Sequence, residues 1–266
     1  MKSTGTLLKM KTVQEVPVRY ILPIGNETID LNTCIGKHVR IQYLGEIYCI
    51  ACGVLTYKSF GQGYCYKCFT TLPENEECVL SPEKCRAHEG IARDMAYAED
   101  HCLKPQYVYL AVSSDMKVGV TRESQIPTRW IDQGATYAIK LAKTPNRYLA
   151  GVIEVELKKH LPDKTNWRKM LKNEVNENVD LLREKERIAS LLPEDLRQYI
   201  VSENEVTTLY YPALGFPQKP DSLDFLKNNV VEGILIAIKG QYLIFNSGMA
   251  VNIRKHNGFK VEFTCD

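Results

Sequence analysis

The stretch CIACGVLTYKSFGQGYCYKC, residues 49–68, carries four cysteines as two Cys-x2-Cys pairs separated by twelve residues. Each pair can place two thiolates on one turn, and two such turns close a tetrahedron around Zn²⁺. Gly53, Gly61 and Gly63 stand beside the pairs, where tight turns need a residue without a Cβ atom. The pattern predicts one zinc ion held by four residues: Cys49, Cys52, Cys65 and Cys68. A closed site of four thiolates builds structure and does not catalyse, so any chemistry has to lie elsewhere.

A second group of residues of the types that ligate metals lies between residues 78 and 102 and contains three cysteines and two histidines. Their spacing is less regular than that of the first group, and any four of them can form a zinc site. The set predicted here is Cys78, Cys85, His88 and Cys102. His101 can instead orient a partner through a hydrogen bond. The alternative is that these are buried cysteines beside a surface histidine.

The composition is that of a globular protein, with 266 residues of which 44% are hydrophobic and 25% are charged. Residues 1–14 have no apolar core long enough for a signal peptide, and the longest strongly apolar stretch, residues 230–238, is too short to span a bilayer. These features predict a cytoplasmic protein with no membrane partner. In that compartment nine cysteines favour metal ligands over disulfides.

Charge is distributed unevenly along the chain. Residues 107–172 contain 12 Lys and Arg against 6 Asp and Glu, whereas residues 173–206 contain 4 against 9. A basic segment next to an acidic one indicates that the middle of the chain faces a polyanion such as nucleic acid. The alternative is that the basic residues are a solvated face.

The pattern of apolar residues predicts an α+β protein. Residues 1–48 are rich in Val, Ile and Tyr and predict strands, as do residues 206–266, where turn sequences such as Asn257-Gly258 separate short apolar runs. These two end regions are expected to pair into one β-domain. Between them we expect a zinc-binding module in residues 49–104, an α/β core in residues 105–172 and a helical segment in residues 173–205. The apolar spacing over residues 167–192 predicts one amphipathic helix.

The α/β core carries an ordered series of polar and aromatic residues. Two strand-like runs contain Tyr107-Val108-Tyr109 and Lys117-Val118-Gly119, and they are followed by Arg129, Glu154 and Asn166. This order resembles that of the GIY-YIG endonuclease superfamily, over about a quarter of the chain. Tyr107 stands where the family has its first glycine, and Lys117 stands where most members have the second tyrosine. Taken whole, the chain also resembles an uncharacterised bacterial family with zinc knuckles before this segment.

The resemblance implies roles for four residues. Tyr109, or water activated through it, removes a proton, and Arg129 stabilises charge on the phosphate. Glu154 holds a divalent ion, Mg²⁺ or Mn²⁺, that polarises the scissile phosphate. Lys117 binds phosphate as a point charge, or acts as a base if its pKa is strongly lowered.

Three functions fit the sequence. The first is a metal-dependent nuclease that acts on DNA or RNA. The second is a non-catalytic nucleic-acid-binding protein in which the zinc modules and the basic centre grip phosphates. The third is a protein-interaction adaptor whose zinc site is only structural. Arg129 and Glu154 together favour the first over the second, and salt-dependent binding of nucleic acid separates both from the third.

Overall fold

The computed structural model describes residues 1–161 and 166–266. Within these ranges the chain forms fifteen strands, which in chain order are β1 (Lys2–Thr6), β2 (Lys11–Val13), β3 (Arg19–Ile24), β4 (Glu27–Asp30), β5 (His38–Tyr48), β6 (Leu55–Thr56), β7 (Gln106–Val112), β8 (Met116–Arg122), β9 (Tyr137–Thr144), β10 (Val206–Thr208), β11 (Asp221–Leu223), β12 (Val230–Lys239), β13 (Tyr242–Phe245), β14 (Met249–Asn252) and β15 (Phe259–Cys265). The same ranges contain seven α-helices: α1 (Tyr66–Thr71), α2 (Met95–His101), α3 (Thr128–Asp132), α4 (Arg147–Lys158), α5 (Trp167–Leu171), α6 (Leu181–Ser190) and α7 (Glu194–Arg197). The architecture is mixed α+β, as the apolar pattern predicts.

The largest sheet joins the two ends of the chain. Its order is β1-β15-β5-β12-β13-β14-β11, with β6 paired to β5, and Lys2 of β1 lies opposite Thr264 of β15. Alternate residues of β15 are buried, so one face of this strand covers the core and the other is partly open. The pairing of N-terminal with C-terminal strands is the one that the strand-rich ends predict, and it brackets the central segment. A separate three-stranded sheet has the order β2-β3-β4.

The central segment forms a four-stranded antiparallel sheet with the order β10-β9-β7-β8. Every residue of β7 is buried, because this strand separates two hydrophobic cores. Val108 and Leu110 pack with residues of α4 and α6 on one face. Tyr109 and Ala111 pack on the other face with the core of the largest sheet. The sheet is therefore fixed against the rest of the chain on both sides.

The single helix predicted over residues 167–192 is wrong, since the chain forms two helices there. α5 ends before Asn173, whose φ of +56° is left-handed, and α6 starts at Leu181 after Asp180, whose carboxylate caps the helix by accepting from two backbone N–H groups. The apolar residues of the two halves pack into different cores. Leu171 packs with β13 and β14, whereas Ile188 packs with the central sheet. The apolar residues are therefore buried as their spacing predicts, but on two helices instead of one.

Glu154 lies on helix α4. The first turn of this helix is capped by the Asn146 side chain, which accepts from the Leu149 N–H at 3.0 Å. The strand before this helix is β9. Glu154 falls on the buried face of α4, together with Ile153 and Leu157.

Among the helices of residues 1–161 and 166–266, none is both long and apolar enough to cross a membrane.

Candidate functional site

The four-cysteine cluster (Cys49, Cys52, Cys65 and Cys68) lies where β5 ends and α1 begins. Cys49 directly follows β5 and Cys65 directly precedes α1, so the sheet and the helix each fix one member of a pair. The four sulfur atoms lie within 4.8 Å of one another. Gly53 has a φ of +72°, which glycine adopts without strain, and its N–H donates to the Cys49 carbonyl at 2.8 Å. The cluster can hold a metal such as zinc, which takes four thiolates in a tetrahedron.

The surroundings of Cys49 favour its ionised form. Burial acts to raise the pKa of its thiol, but backbone N–H groups, including those of Cys52 and Cys65, outweigh burial and lower the pKa to about 6. The thiolate is the form that binds a metal. Cys52 is exposed while the other three cysteines are buried, so the cluster lies at the surface with one open edge.

The three-cysteine cluster (Cys78, Cys85 and Cys102) also brings its sulfur atoms within 4.8 Å of one another. Cys78 lies in a 3-10 turn, Cys85 directly follows another, and Cys102 directly follows α2. All three are buried. Hydrogen bonds from the other two cysteines lower the pKa of Cys85 against the opposing effect of burial. This cluster can also hold a metal such as zinc.

His88, predicted as the fourth ligand here, is not part of this group. Within the described residues, only Cys78 and Cys102 join Cys85 in a group of mutually close ligand atoms. The ring of His88 stacks on Tyr148 with centroids 4.4 Å apart, and its Nε2 atom is 3.8 Å from a Glu89 carboxylate oxygen. His101 stacks on Tyr97 and its Nδ1 lies 3.0 Å from the Tyr97 carbonyl oxygen. The fold thus brings together three of the four residues predicted for this site.

A cavity of about 320 Å³ lies beside β8 and α4 and is called the cationic pocket. Its lining contains two carboxylates, Asp132 and Glu154. It also contains seven cationic side chains: Lys9, Lys117, Arg122, Arg129, Arg147, Lys158 and Arg254. Both carboxylates are paired with a lysine, Asp132 with Lys9 and Glu154 with Lys158 at 3.3 Å. The pocket therefore carries a large excess of positive charge and suits an anion with several negative charges.

The cations of the pocket perturb one another. Burial, and then the charge of Arg129, lower the pKa of Lys117 to about 8. Burial, and then Arg129, also lower the pKa of Arg254. Burial raises the pKa of Glu154, and Lys158 opposes this shift. A bound anion would relieve the repulsion between the cations, so the pocket can accommodate negative charge.

Lys117, Arg129 and Glu154, all predicted as site residues, line this one pocket. Tyr109 does not line it. Its side chain is fully buried, and its hydroxyl donates to the Gln133 side-chain oxygen at 2.9 Å. Burial raises the pKa of Tyr109, so the phenol is neutral in this environment. In this conformation the Tyr109 hydroxyl is buried and bonded to Gln133, whereas the proton-accepting role that the resemblance implies needs it exposed to the pocket.

Tyr109 and Gly119 are tied by the register of β7 and β8. They are direct partners in the hairpin, and a Cβ atom on Gly119 would lie 2.6 Å from the Tyr109 hydroxyl. Glycine is therefore needed at position 119 because the tyrosine ring covers its backbone. This close approach gives a packing reason for a tyrosine on one strand and a glycine opposite it.

Five of the seven cations were not singled out from the sequence as site residues. Arg122, Arg147 and Lys158 belong to the basic segment of residues 107–172, so its charge was a usable signal for them. Lys9 and Arg254 come from the two ends of the chain. No local pattern marks these two, because only the closure of the largest sheet places the chain ends beside the central segment.

The fold and the sites define a mixed α+β protein with two cysteine clusters, each able to hold a metal such as zinc. Over residues 36–261 the chain matches the family described as "Protein of unknown function (DUF2797)", and it belongs to that family. The chain matches no curated protein and no solved structure.

Proposed function

We propose that this protein is a zinc-containing nucleic-acid-binding protein whose cationic pocket binds phosphate groups. The observation that carries the proposal is the convergence of seven cationic side chains from distant parts of the chain on one cavity. Four of them are arginines, whose planar guanidinium groups match phosphate oxygens in pairs. Nucleic acid offers phosphates at regular spacing, and their charge suits the pocket and the basic residues 107–172 around it.

Zinc is proposed at both cysteine clusters, in a module that precedes the central sheet. The four-cysteine cluster has a complete ligand set, so zinc there is structural. At the three-cysteine cluster we propose His88 as the fourth ligand, because it follows Cys85 by the short spacing of a zinc-binding turn. The role requires the His88 ring to leave its stack on Tyr148.

A second candidate is phosphodiester cleavage by a GIY-YIG-like core. The hairpin of β7 and β8, the helix that carries Arg129 and the helix that carries Glu154 follow one another in the order the resemblance implies. The shared pocket of Lys117, Arg129 and Glu154 favours this candidate. It needs Mg²⁺ or Mn²⁺ at Glu154.

Binding is favoured over cleavage by the ligands that the pocket offers. A magnesium site needs several oxygen ligands. The two carboxylates of the pocket each face a lysine, and neither belongs to a group of three or more metal-ligand residues among the described residues. A pocket dominated by cations repels a divalent metal unless phosphates enter first. We therefore place phosphate binding first and cleavage second.

The test is fluorescence anisotropy with labelled single- and double-stranded oligonucleotides at low salt. Arg254→Ala should weaken binding about tenfold or more, since a hydrogen bond to a charged group contributes about 1.5–3 kcal/mol. Arg183→Ala is the matched control, because its side chain is 87% exposed on helix α6 and does not line the pocket. No binding by the wild type, or equal losses in both variants, would overturn the proposal.

Cleavage is tested in the same samples by adding Mg²⁺ or Mn²⁺ and separating the products on a gel. The second candidate predicts cleavage by the wild type and none by Glu154→Gln. An intact oligonucleotide that stays bound would eliminate the nuclease and leave the binding protein. If no oligonucleotide binds, the adaptor function takes its place.

A further inference from the structure

The three-cysteine cluster is joined directly to the wall of the cationic pocket. The Arg147 Nε donates to the Cys78 carbonyl at 2.8 Å, and a terminal guanidinium nitrogen donates to the Val79 carbonyl at 3.1 Å. The backbone N–H of Arg147 donates to the Cys102 carbonyl at 2.8 Å. Two of the three cysteines therefore hold Arg147, which is itself one of the cations of the pocket.

The chain between the first two cysteines of this cluster also forms part of the pocket. Val79, Leu80 and Pro82 line the cavity. On the far side of Val79 a smaller cavity of about 110 Å³ is lined by Cys78 and Cys102 and shares Arg122 and Arg147 with the cationic pocket. The cavity beside the cluster and the cationic pocket thus share a wall made of Val79, Arg122 and Arg147.

Helix α4 rests on the same turn. A Cβ atom on Gly151 would lie 2.1 Å from the Glu83 backbone nitrogen and 2.4 Å from the Pro82 carbonyl carbon. Such a close approach is possible only for glycine, and it sets the distance between the turn and the helix. Glu154 and Lys158 follow on this helix and line the pocket. A shift of the turn would therefore move α4 and two pocket side chains with it.

The segment around the cluster has a small hydrophobic core of its own. Besides the short helix α2, residues 73–102 form 3-10 turns of three residues each. The buried members of its hydrophobic core are the three cysteines, Ala87 and Ala98. So small a core contributes little burial, whereas metal binding supplies folding free energy directly at such sites.

We infer that a metal ion at Cys78, Cys85 and Cys102 controls how tightly the cationic pocket binds a polyanion, with Arg147, a cation of the pocket held by two of these cysteines, as the link between the two sites. The inference rests on the proposed function, because it concerns the ligand of the same pocket. Without the metal, the turn and the carbonyl groups that orient Arg147 lose their fixed positions. Loss of metal therefore lowers the affinity for phosphate without any change in the pocket's own sequence.

Coupling of two binding sites is reciprocal. If the metal strengthens polyanion binding by some factor, the polyanion strengthens metal binding by the same factor. The four-cysteine cluster gives an internal reference, since residues 49–72 contribute nothing to the described lining of the pocket. A ligand in the pocket should protect the metal of one cluster and leave the other unchanged.

The test loads the full chain with zinc and follows its release to a coloured chelator, with and without a labelled oligonucleotide. Cys85→Ser removes one release phase and so assigns the three-cysteine cluster. We expect the oligonucleotide to slow that phase about fivefold or more in the wild type, within the usual range of allosteric coupling. The phase of the four-cysteine cluster should not change. In Arg147→Ala both zinc ions should bind, and the protection should be lost even at oligonucleotide concentrations that saturate the variant.

The outcomes separate this inference from the function on which it rests. If the oligonucleotide binds the wild type but both phases are equally fast with and without it, the coupling is refuted and the binding function stands. If Arg147→Ala keeps full protection, Arg147 is not the link and the inference is also overturned. If the wild type binds no oligonucleotide, the proposed function and the inference fail together.

Discussion

The two cysteine clusters differ in how they meet the rest of the molecule. The four-cysteine cluster has regular spacing, a complete set of thiol ligands and one exposed member, Cys52. The three-cysteine cluster has irregular spacing and is wholly buried, and its backbone carbonyls hold Arg147 of the cationic pocket. The motif that is easier to recognise is thus not the one whose cysteines hold a side chain of the pocket. A strong sequence motif marks a metal site, but its contacts decide whether that site bears on function.

The largest effect is expected from removing the regular cluster. Cys65→Ser should lose one zinc ion and lower the melting temperature, because structural zinc contributes about 10–16 kcal/mol to the folding of small zinc modules. Zinc at the three-cysteine cluster should stay, and the pocket should keep most of its oligonucleotide affinity. Metal analysis and thermal unfolding check this prediction. Loss of both zinc ions would mean that the two clusters fold as one unit.

Gly151→Ala tests the three-cysteine cluster through the contact between α4 and the Pro82–Glu83 turn. The added methyl group meets the Pro82–Glu83 backbone, and overpacking of this kind costs about 1–3 kcal/mol. Gly215→Ala is the matched control, because no atom lies within 4 Å of a Cβ there. Chemical denaturation should show destabilisation only for position 151, accompanied by faster zinc release from the three-cysteine cluster. Equal stability of the two variants would show that the turn does not rest tightly on α4.

The pocket should also respond to pH through Lys117. Its pKa of about 8 in the free protein is lowered by burial and by Arg129, and a bound phosphate should raise it. Affinity is then unaffected well below pH 8, where the lysine is charged in both states, and falls as pH rises through that value. A rise of about one unit in the pKa on binding would cost about tenfold in affinity. Lys117→Met should bind weakly with a flat profile over the same range, and an unchanged slope in this variant would exclude Lys117 as the cause.

The smallest effect is expected for the carboxylate of the pocket. Glu154→Gln removes a negative charge that faces the phosphate and frees Lys158, so oligonucleotide affinity should rise by about 1 kcal/mol or less. Glu156→Gln makes the same change on the same helix, in a pair with Lys159 outside the pocket, and should leave the affinity as it is. Titration in the absence of divalent ions checks both. A weaker Glu154→Gln protein would indicate that the carboxylate supports the ligand instead of repelling it.

The sequence predicts the strands at the two ends of the chain and the cysteines of its regular motif. Hairpin turns and short apolar runs locate β12 to β15, and the Cys-x2-Cys pairs identify the thiols of the four-cysteine cluster. These features depend on neighbouring residues only. The helix over residues 167–192 failed because apolar spacing does not reveal that its two halves pack into different cores.

The site could be predicted only where its residues are close in the chain. Lys117, Arg129 and Glu154 belong to one segment and were named from it. Lys9 and Arg254 enter the pocket only after β1 and β15 pair, and nothing local distinguishes them from surface cations. His88 shows another limit, since a spacing typical of zinc ligands does not reveal that the ring stacks on an aromatic neighbour, Tyr148.

The central claim is that the cationic pocket binds nucleic-acid phosphates, and the salt dependence of binding tests it most directly. The logarithm of affinity is plotted against the logarithm of salt concentration for the wild type, Arg129→Ala and Arg254→Ala. We predict a steep linear fall for the wild type, with a slope smaller by about one for each arginine removed, because each phosphate contact releases bound counterions. The control Arg183→Ala should keep the wild-type slope. A wild type that does not bind, or slopes that are the same in all four proteins, would contradict the account.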